Sequence, residues 1–215
     1  MLITSEQLNR ICPSIKDTNL SKRATIISDL ISKICPLYGI DRPTILHEWL
    51  ANVLEESGEF TVFAEDLYYS AKRLMKVWPK RFPDMQSAIP YAKNPQKLAE
   101  KVYANRNGNK RPGDAYLMRG AGPMQLTGLG MIAEFTTYYN KKFGTKYNPY
   151  QMAEMLRKDL EIGIHSAAWV FAVVKRLIPY AISDNMKVCV YKINGGYTNM
   201  GERMIYYERS KQVIK

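Results

Sequence analysis

The stretch PTILHEWLANVLEESGEF, residues 43–60, decides how the chain is read. Pro43 suits the first position of a helix, where its missing N–H is no loss. From Leu46 the apolar side chains of Trp49, Leu50, Val53 and Leu54 recur at the spacing of one helix face, and Gly58 supplies a break after the last turn. The same steps reach Glu56, whose carboxyl is expected to continue the inward stripe. Glu48, Asn52, Glu55 and Glu59 are expected on a parallel polar stripe. A carboxyl aimed inward at the end of a helix is expected to lose water, the setting in which a proton-donating acid works near neutral pH.

Outward from this helix, Thr4 to Gln7 fits a capping box, and Leu20, Ala24, Ile27, Ile31 and Ile34 predict an amphipathic helix closed near Gly39. Further helices are predicted over 70–77, 94–104 with Pro95 at its first position, 127–142, 148–157, 160–175, and 199–213, where Glu202 would complete a second capping box. Strand signals are few and short. The Asn, Gly and Pro rich stretch 105–122 is expected to be a long irregular loop or a small hairpin, the kind of segment that carries binding residues. The fold class is therefore mainly α.

Composition narrows the function. With 46% hydrophobic and 24% charged residues the chain is that of a soluble globular protein of 215 residues, read as one domain. The N-terminal residues have no basic region followed by an apolar one, so no export signal is expected, and the uncharged run 162–174 is too short for a membrane span. Cys12, Cys35 and Cys189 are widely spaced and odd in number, which predicts reduced, buried thiols rather than a disulfide or zinc framework. His47 and His165 lack a second ligand at zinc spacing, so no metal and no cofactor is expected. The formal charge of +11, from 31 Lys and Arg against 20 Asp and Glu, implies attraction to a polyanion without saying which.

A second carboxylate, Glu65, lies nine residues beyond Glu56, past the Gly58 break. Glycosidases need one carboxylic acid to protonate the leaving oxygen and one carboxylate for the other face of the sugar, but two acids at this spacing do not by themselves make such a pair.

Four strings in order carry more: ESGEF at 56–60, EDLYYSA at 65–71, RGAGPMQLTG at 119–128 and INGG at 193–196, with VYANR at 102–106 and NGN at 107–109 between them. Together they resemble glycoside hydrolase family 19, in particular short chitinase-like endolysins of phage type. The resemblance covers most of the chain, from about residue 4 to 210. It implies a lysozyme-like, two-lobed α-helical domain with a central substrate cleft, residues 1–215 forming a single catalytic domain with no separate cell-wall-binding domain. It implies hydrolysis of β-1,4 links with inversion, Glu56 acting as general acid, Glu65 as the base that activates water, and Thr127 holding that water. Gln125, Asn194, Tyr69 and Asn105 are the implied substrate-binding residues. Inversion implies a gap of about 6.5 to 9.5 Å between the carboxyls. Glu55, Tyr68 and Ala121 depart from the usual His, Asn and Arg of these strings, which bears on substrate preference. His47-Glu48 imitates the His-Glu of the family's acid, but the residues after it do not match.

The expected substrate is the bacterial cell-wall glycan, with chitin as the alternative. Nucleic-acid binding is a distant alternative, since neither zinc-finger spacing nor a basic heptad is present, and non-catalytic wall binding is another, since both acids stand where the resemblance places them. A monomer is expected, with no membrane insertion, staying in the host cytoplasm until a membrane pore or lysis releases it. Taken singly, Thr127 reads as a helix N-cap, INGG as a turn before the last helix, and Tyr68, Tyr69 and Tyr103 as core or sugar-stacking residues.

Overall fold

The computed structural model describes residues 1–215. Its helices are α1 (Ser5–Ile11), α2 (Arg23–Ile34), α3 (Pro43–Glu56), α4 (Ala71–Val77), α5 (Met85–Ala88), α6 (Pro95–Tyr103), α7 (Asp114–Leu117), α8 (Leu129–Phe143), α9 (Pro149–Lys158), α10 (Leu160–Trp169), α11 (Ile178–Ile182), α12 (Met186–Asn194) and α13 (Met200–Val213). Strand pairing is limited to isolated bridges of Thr18 with Ser21, Ala64 with Ala121, and Ala121 with Leu126. The fold is mainly α, as the periodicity predicts. No helix is long and apolar enough to cross a membrane.

The chain divides into two compact units: Met1–Phe63, Gly122–Met124 and Lys158–Lys215 form the first, and Ala64–Ala121 with Gln125–Arg157 the second. In the first, α3 is packed by α13, α11 and α12, and α1 and α2 complete the layer around them. Every residue of α3 from Ile45 to Leu54 is buried. This overturns the expected polar stripe: Glu48 and Asn52 are fully buried, because neighbouring helices cover α3 on all sides rather than on one face. Buried Leu, Ile and Val side chains here each contribute about 1.5–3 kcal/mol.

In the second unit α4 to α7 surround Leu74, Phe82, Leu98 and Val102. A chain of aromatic rings runs beside this core, Tyr69 to Trp78 at 5.7 Å, Trp78 to Phe82 at 6.4 Å and Phe82 to Tyr91 at 5.5 Å between centroids. The stretch 105–122 is no hairpin. It contains the single turn α7, and buried Asp114 ties it down by accepting from the backbone N–H groups of Lys110 and Arg111 and from the Tyr150 hydroxyl at 2.8 to 3.0 Å. Burial alone would raise the Asp114 carboxyl, but these bonds prevail and hold it below the usual range.

Several helix ends follow from sequence. The Thr4–Gln7 capping box forms, Pro43 and Pro95 take first-turn positions, Asn94 caps α6, and Asn148 accepts from the N–H groups of Tyr150 and Gln151 at the start of α9. Others differ. Leu20 precedes α2 and is 99% exposed, since the helix begins only at Arg23. The cap of α8 is Gly128, not Thr127. Asn199 adopts φ 53° and makes no cap bond, so the second capping box is absent; its side chain is engaged elsewhere. The helix predicted over 160–175 widens after Trp169 into a π turn, Val170–Val174, with the Lys175 N–H donating five residues back to Val170. All three cysteines are free and buried, as expected.

Candidate active site

Glu56 is the last residue of α3, in the first unit. The corner that follows is closed by short-range bonds: Ser57 Oγ donates to the Val53 carbonyl at 2.6 Å and accepts from the Phe60 N–H at 2.9 Å, while Gly58 takes φ +51°. Glu59 and Phe60 also adopt positive φ. Glu59 is fixed by bonds from Ser14 and Tyr206. Burial would raise its carboxyl, but those hydrogen bonds and the nearby Arg23 charge hold it below the usual range.

The surroundings of Glu56 are not the apolar seat expected. Its side chain is 24% exposed and is gripped by Arg203, whose own side chain is only 2% exposed. Arg203 Nη2 donates to Glu56 Oε1 and pairs with Glu55 Oε2 at 2.6 Å; Nη1 donates to Asn52 Oδ1 at 2.9 Å, and Nε to the Thr198 carbonyl at 3.3 Å. Asn194, with its amide turned to match donors with acceptors, donates to Glu56 Oε1 at 3.0 Å and accepts from Arg203 Nη2 at 2.9 Å. Asn199 Nδ2 reaches Glu55 Oε1 at 2.5 Å. Both protein bonds to Glu56 thus fall on Oε1, and Oε2 stays open. Asn194 comes from the last residue of α12, which Gly195 ends in the left-handed conformation. The INGG string is therefore a helix terminus and not only a turn.

Glu65 belongs to the second unit. Its backbone N–H donates to the Gly120 carbonyl at 2.9 Å beside the Ala64–Ala121 bridge, which sets the carboxyl against the RGAG string. One oxygen accepts from the Tyr103 hydroxyl at 2.6 Å, the other from the Gly120 N–H at 3.0 Å. A side chain at position 120 would crowd Glu65, a Cβ there coming within 3.1 Å of the Glu65 Cβ. Burial, then the bond to Glu65, pushes the Tyr103 hydroxyl well above its ordinary value, so it remains a donor. Tyr103 is therefore a hydrogen-bond partner of the carboxylate and not a free stacking ring. Tyr69 is raised by burial and by the Glu65 charge, which puts it in the same neighbourhood.

Gln125 adopts φ 50° and lies against Gly120; its carbonyl accepts from Thr127 Oγ1 at 2.9 Å. Thr127 consequently has its hydroxyl proton committed and presents lone pairs. Gly128 is required because a Cβ would strike Asn107. Asn109 joins two of the strings, donating to the Tyr103 carbonyl at 3.1 Å and accepting from the Leu129 N–H at 2.9 Å. Asn105 is exposed with φ 57°, and Tyr68 is 58% exposed. Of the residues predicted from sequence, Glu65, Tyr69, Gln125 and Thr127 thus gather in the second unit, with Asn105 on an exposed turn there, while Glu56 and Asn194 meet in the first.

Arg203 escaped the sequence reading. Its signal is position: it is the charged member of the buried stripe Arg203, Tyr207, Ser210 of α13. The decoy His47-Glu48 is deeply buried. His47 is lowered by burial, and its Nε2 lies 3.3 Å from the Ile214 carbonyl. Glu48 has no oxygen or nitrogen partner and is pushed up to about 8 by burial and the Asp184 charge, offset in part by the Cys189 thiol.

The mainly α fold is shared with solved structures of a chitinase. Chitinase C from Streptomyces griseus HUT6037 superposes with a TM-score of 0.61 over 99% of this chain and 92% of its own, at 13% identity. A chitinase C mutant gives 0.59 over 99% and 76%, at 12% identity. At such identities the likeness is one of fold. No protein-family model matches the chain. A glycosyl hydrolase family 19 domain-containing protein of Haemophilus influenzae is 32% identical over 161 residues, 74% of each chain. The chain belongs to glycosyl hydrolase family 19 and is a glycoside hydrolase.

Proposed function

We propose that this enzyme cuts β-1,4 glycosidic bonds of bacterial peptidoglycan in the manner of an endolysin, with inversion at the anomeric carbon. Glu56 is the general acid. The observation that carries this role is the asymmetry of its carboxyl: Oε1 is occupied by Arg203 and Asn194, and Oε2 is free to carry a proton to the leaving oxygen. Glu65 is the general base. Each of its oxygens accepts one bond, from Tyr103 or Gly120, and keeps a lone pair for water. Thr127, its own proton donated to the Gln125 carbonyl, accepts from that water and aims it. As water attacks the anomeric carbon, its proton passes to Glu65, the glycosidic C–O bond breaks, and the Glu56 proton moves to the leaving oxygen. Gln125, Asn194, Tyr69 and Asn105 offer amide and phenol groups to sugar hydroxyl and acetamide groups.

The charge of +11 supports an anionic wall polymer as substrate. A second reading, hydrolysis of chitin, is favoured by the fold shared with chitinase C. Reducing-end release from purified peptidoglycan and from chitin, with Glu56→Gln beside the parent, separates the two. Release from peptidoglycan that vanishes in the variant supports the first reading; release from chitin alone supports the second. Proton NMR of the first products checks inversion, and initial formation of the retained anomer would reject it.

A further inference from the structure

The positive charge is unevenly divided. Of the 31 Lys and Arg, 16 lie in the second unit against 7 of the 20 Asp and Glu, a net +9; the first unit has 15 against 13, a net +2. Within the second unit a depression of about 680 Å³ is lined by Val77, Trp78, Pro79, Lys80, Arg81 and Arg106, with no acid among them. None of the three cations forms an ion pair.

The geometry of this depression is fixed from beneath. Trp78 is half-buried and wedged between Tyr69 and Phe82. The turn after it is closed by the N–H groups of Arg81 and Phe82, both donating to the Trp78 carbonyl at 2.9 Å. Arg106 is carried on a turn whose N–H reaches the Tyr103 carbonyl at 3.2 Å. Tyr103 links the depression to Glu65, its carbonyl accepting from the Arg106 N–H at 3.2 Å and its hydroxyl donating to Glu65 at 2.6 Å. The Arg81 charge acts on the Tyr103 hydroxyl that donates to Glu65, and Tyr69, the ring against Trp78, feels the Glu65 charge.

We propose that this depression is a subsite for a carboxylate-bearing branch of the glycan, its apolar part lying on Trp78 and its carboxylate on Lys80, Arg81 and Arg106. The inference rests on the wall-polymer reading of the same enzyme. Three unpaired cations around an indole repel one another unless an anion joins them, and guanidinium groups match carboxylates by paired N–H donors. In peptidoglycan every second sugar carries a lactyl ether extended by a peptide with free carboxylates. A polymer of N-acetylglucosamine alone has no such group, so this subsite would discriminate between the two substrates next to the residue proposed to activate water.

The test uses the full chain. Binding of N-acetylmuramyl-alanyl-isoglutamine and of neutral di-N-acetylchitobiose is followed by calorimetry, for the parent, for Arg81→Gln with Arg106→Gln, and for Arg81→Lys with Arg106→Lys. The parent is expected to prefer the muramyl peptide, and the preference should fall about tenfold in the glutamine pair, be largely kept in the lysine pair, and weaken with salt. A preference absent from the parent, or equal in parent and glutamine pair, overturns the subsite. Loss in both pairs alike also overturns it, since it would report structure and not charge. Initial rates on soluble peptidoglycan strands and chitohexaose are taken alongside. Should the parent cut only chitohexaose yet keep an arginine-dependent preference for the muramyl peptide, the wall-polymer reading fails and the subsite stands.

Discussion

The carboxyl of Glu56 is held by a charge, that of Glu65 by two neutral donors. Arg203 is almost wholly buried and binds Glu56, Glu55 and Asn52 at once, so the first unit depends on these partners to keep a guanidinium out of water. Around Glu65 the donors are a phenol and a backbone N–H, which fix direction without a charge that must be neutralised. One carboxyl is therefore part of the first unit's stability, while the other is mainly oriented. Glu48, eight residues before Glu56 on the same helix, is the third case: buried, with neither a charged nor an oxygen or nitrogen partner.

The largest effects should appear in rate. Glu56→Gln and Glu65→Gln are each expected to lower kcat by about 10²–10⁴-fold, the range for loss of a general acid or base. Stopped assays on peptidoglycan strands measure this, and near-parental turnover in either variant would remove that residue from the mechanism.

Next comes stability in the first unit. Arg203→Met leaves Glu55 and Glu56 without their cation, and should cost about 3–5 kcal/mol in denaturant unfolding. A loss under about 1 kcal/mol would mean that the charged grip contributes no more than an exposed ion pair.

Glu48 gives a pH test of the same helix. Its proton is held more tightly in the folded chain, at about 8, than at the ordinary 4.5 of an unfolded one. Its contribution to stability is therefore full below about 4.5 and is lost as the pH rises through about 8. His47, Asp184, Cys189, Tyr207 and Lys211 surround it. Glu48→Gln should flatten the decline, of the order of 4 kcal/mol, between pH 5 and 8. Parallel profiles for variant and parent would show that another group titrates.

The smallest effect is expected at the neutral tie. Tyr103→Phe should cost about 1 kcal/mol of stability while lowering kcat more than it raises KM, because the Glu65 oxygen loses orientation and not charge. A drop in stability as large as that of Arg203→Met would erase the distinction between the two carboxyls.

Much of this was legible in the sequence. Thr4, Pro43, Asn94 and Pro95 announce helix starts through local chemistry, and the apolar spacing of α3 fixes its ends near Pro43 and Gly58. The strings around Glu56, Glu65 and Gln125 point to the family that the relative from Haemophilus influenzae shows. What was not legible depends on partners distant in sequence. Glu48 and Asn52 have polar side chains at a polar-looking spacing, and only the helices packed on every side of α3 bury them. Arg203 looks like a surface residue of a charged helix until Glu56 and Asn52 are seen beside it. α12, with Val188, Val190 and Ile193, lacks a strong helical pattern, and its start rests on Asn185 capping Val188. Asn199 resembled a cap by residue type, but Glu55 takes its amide.

The bond from Arg203 to Glu56 spans 147 residues. A ribosome adding about 5–20 residues per second needs roughly 7 to 30 s between them. Throughout that interval the nascent chain already contains Glu56 but not the guanidinium that holds it. Until residue 203 is added, the Glu56 carboxyl therefore lacks its charged partner, and the grip on the end of α3 forms only once α13 has begun.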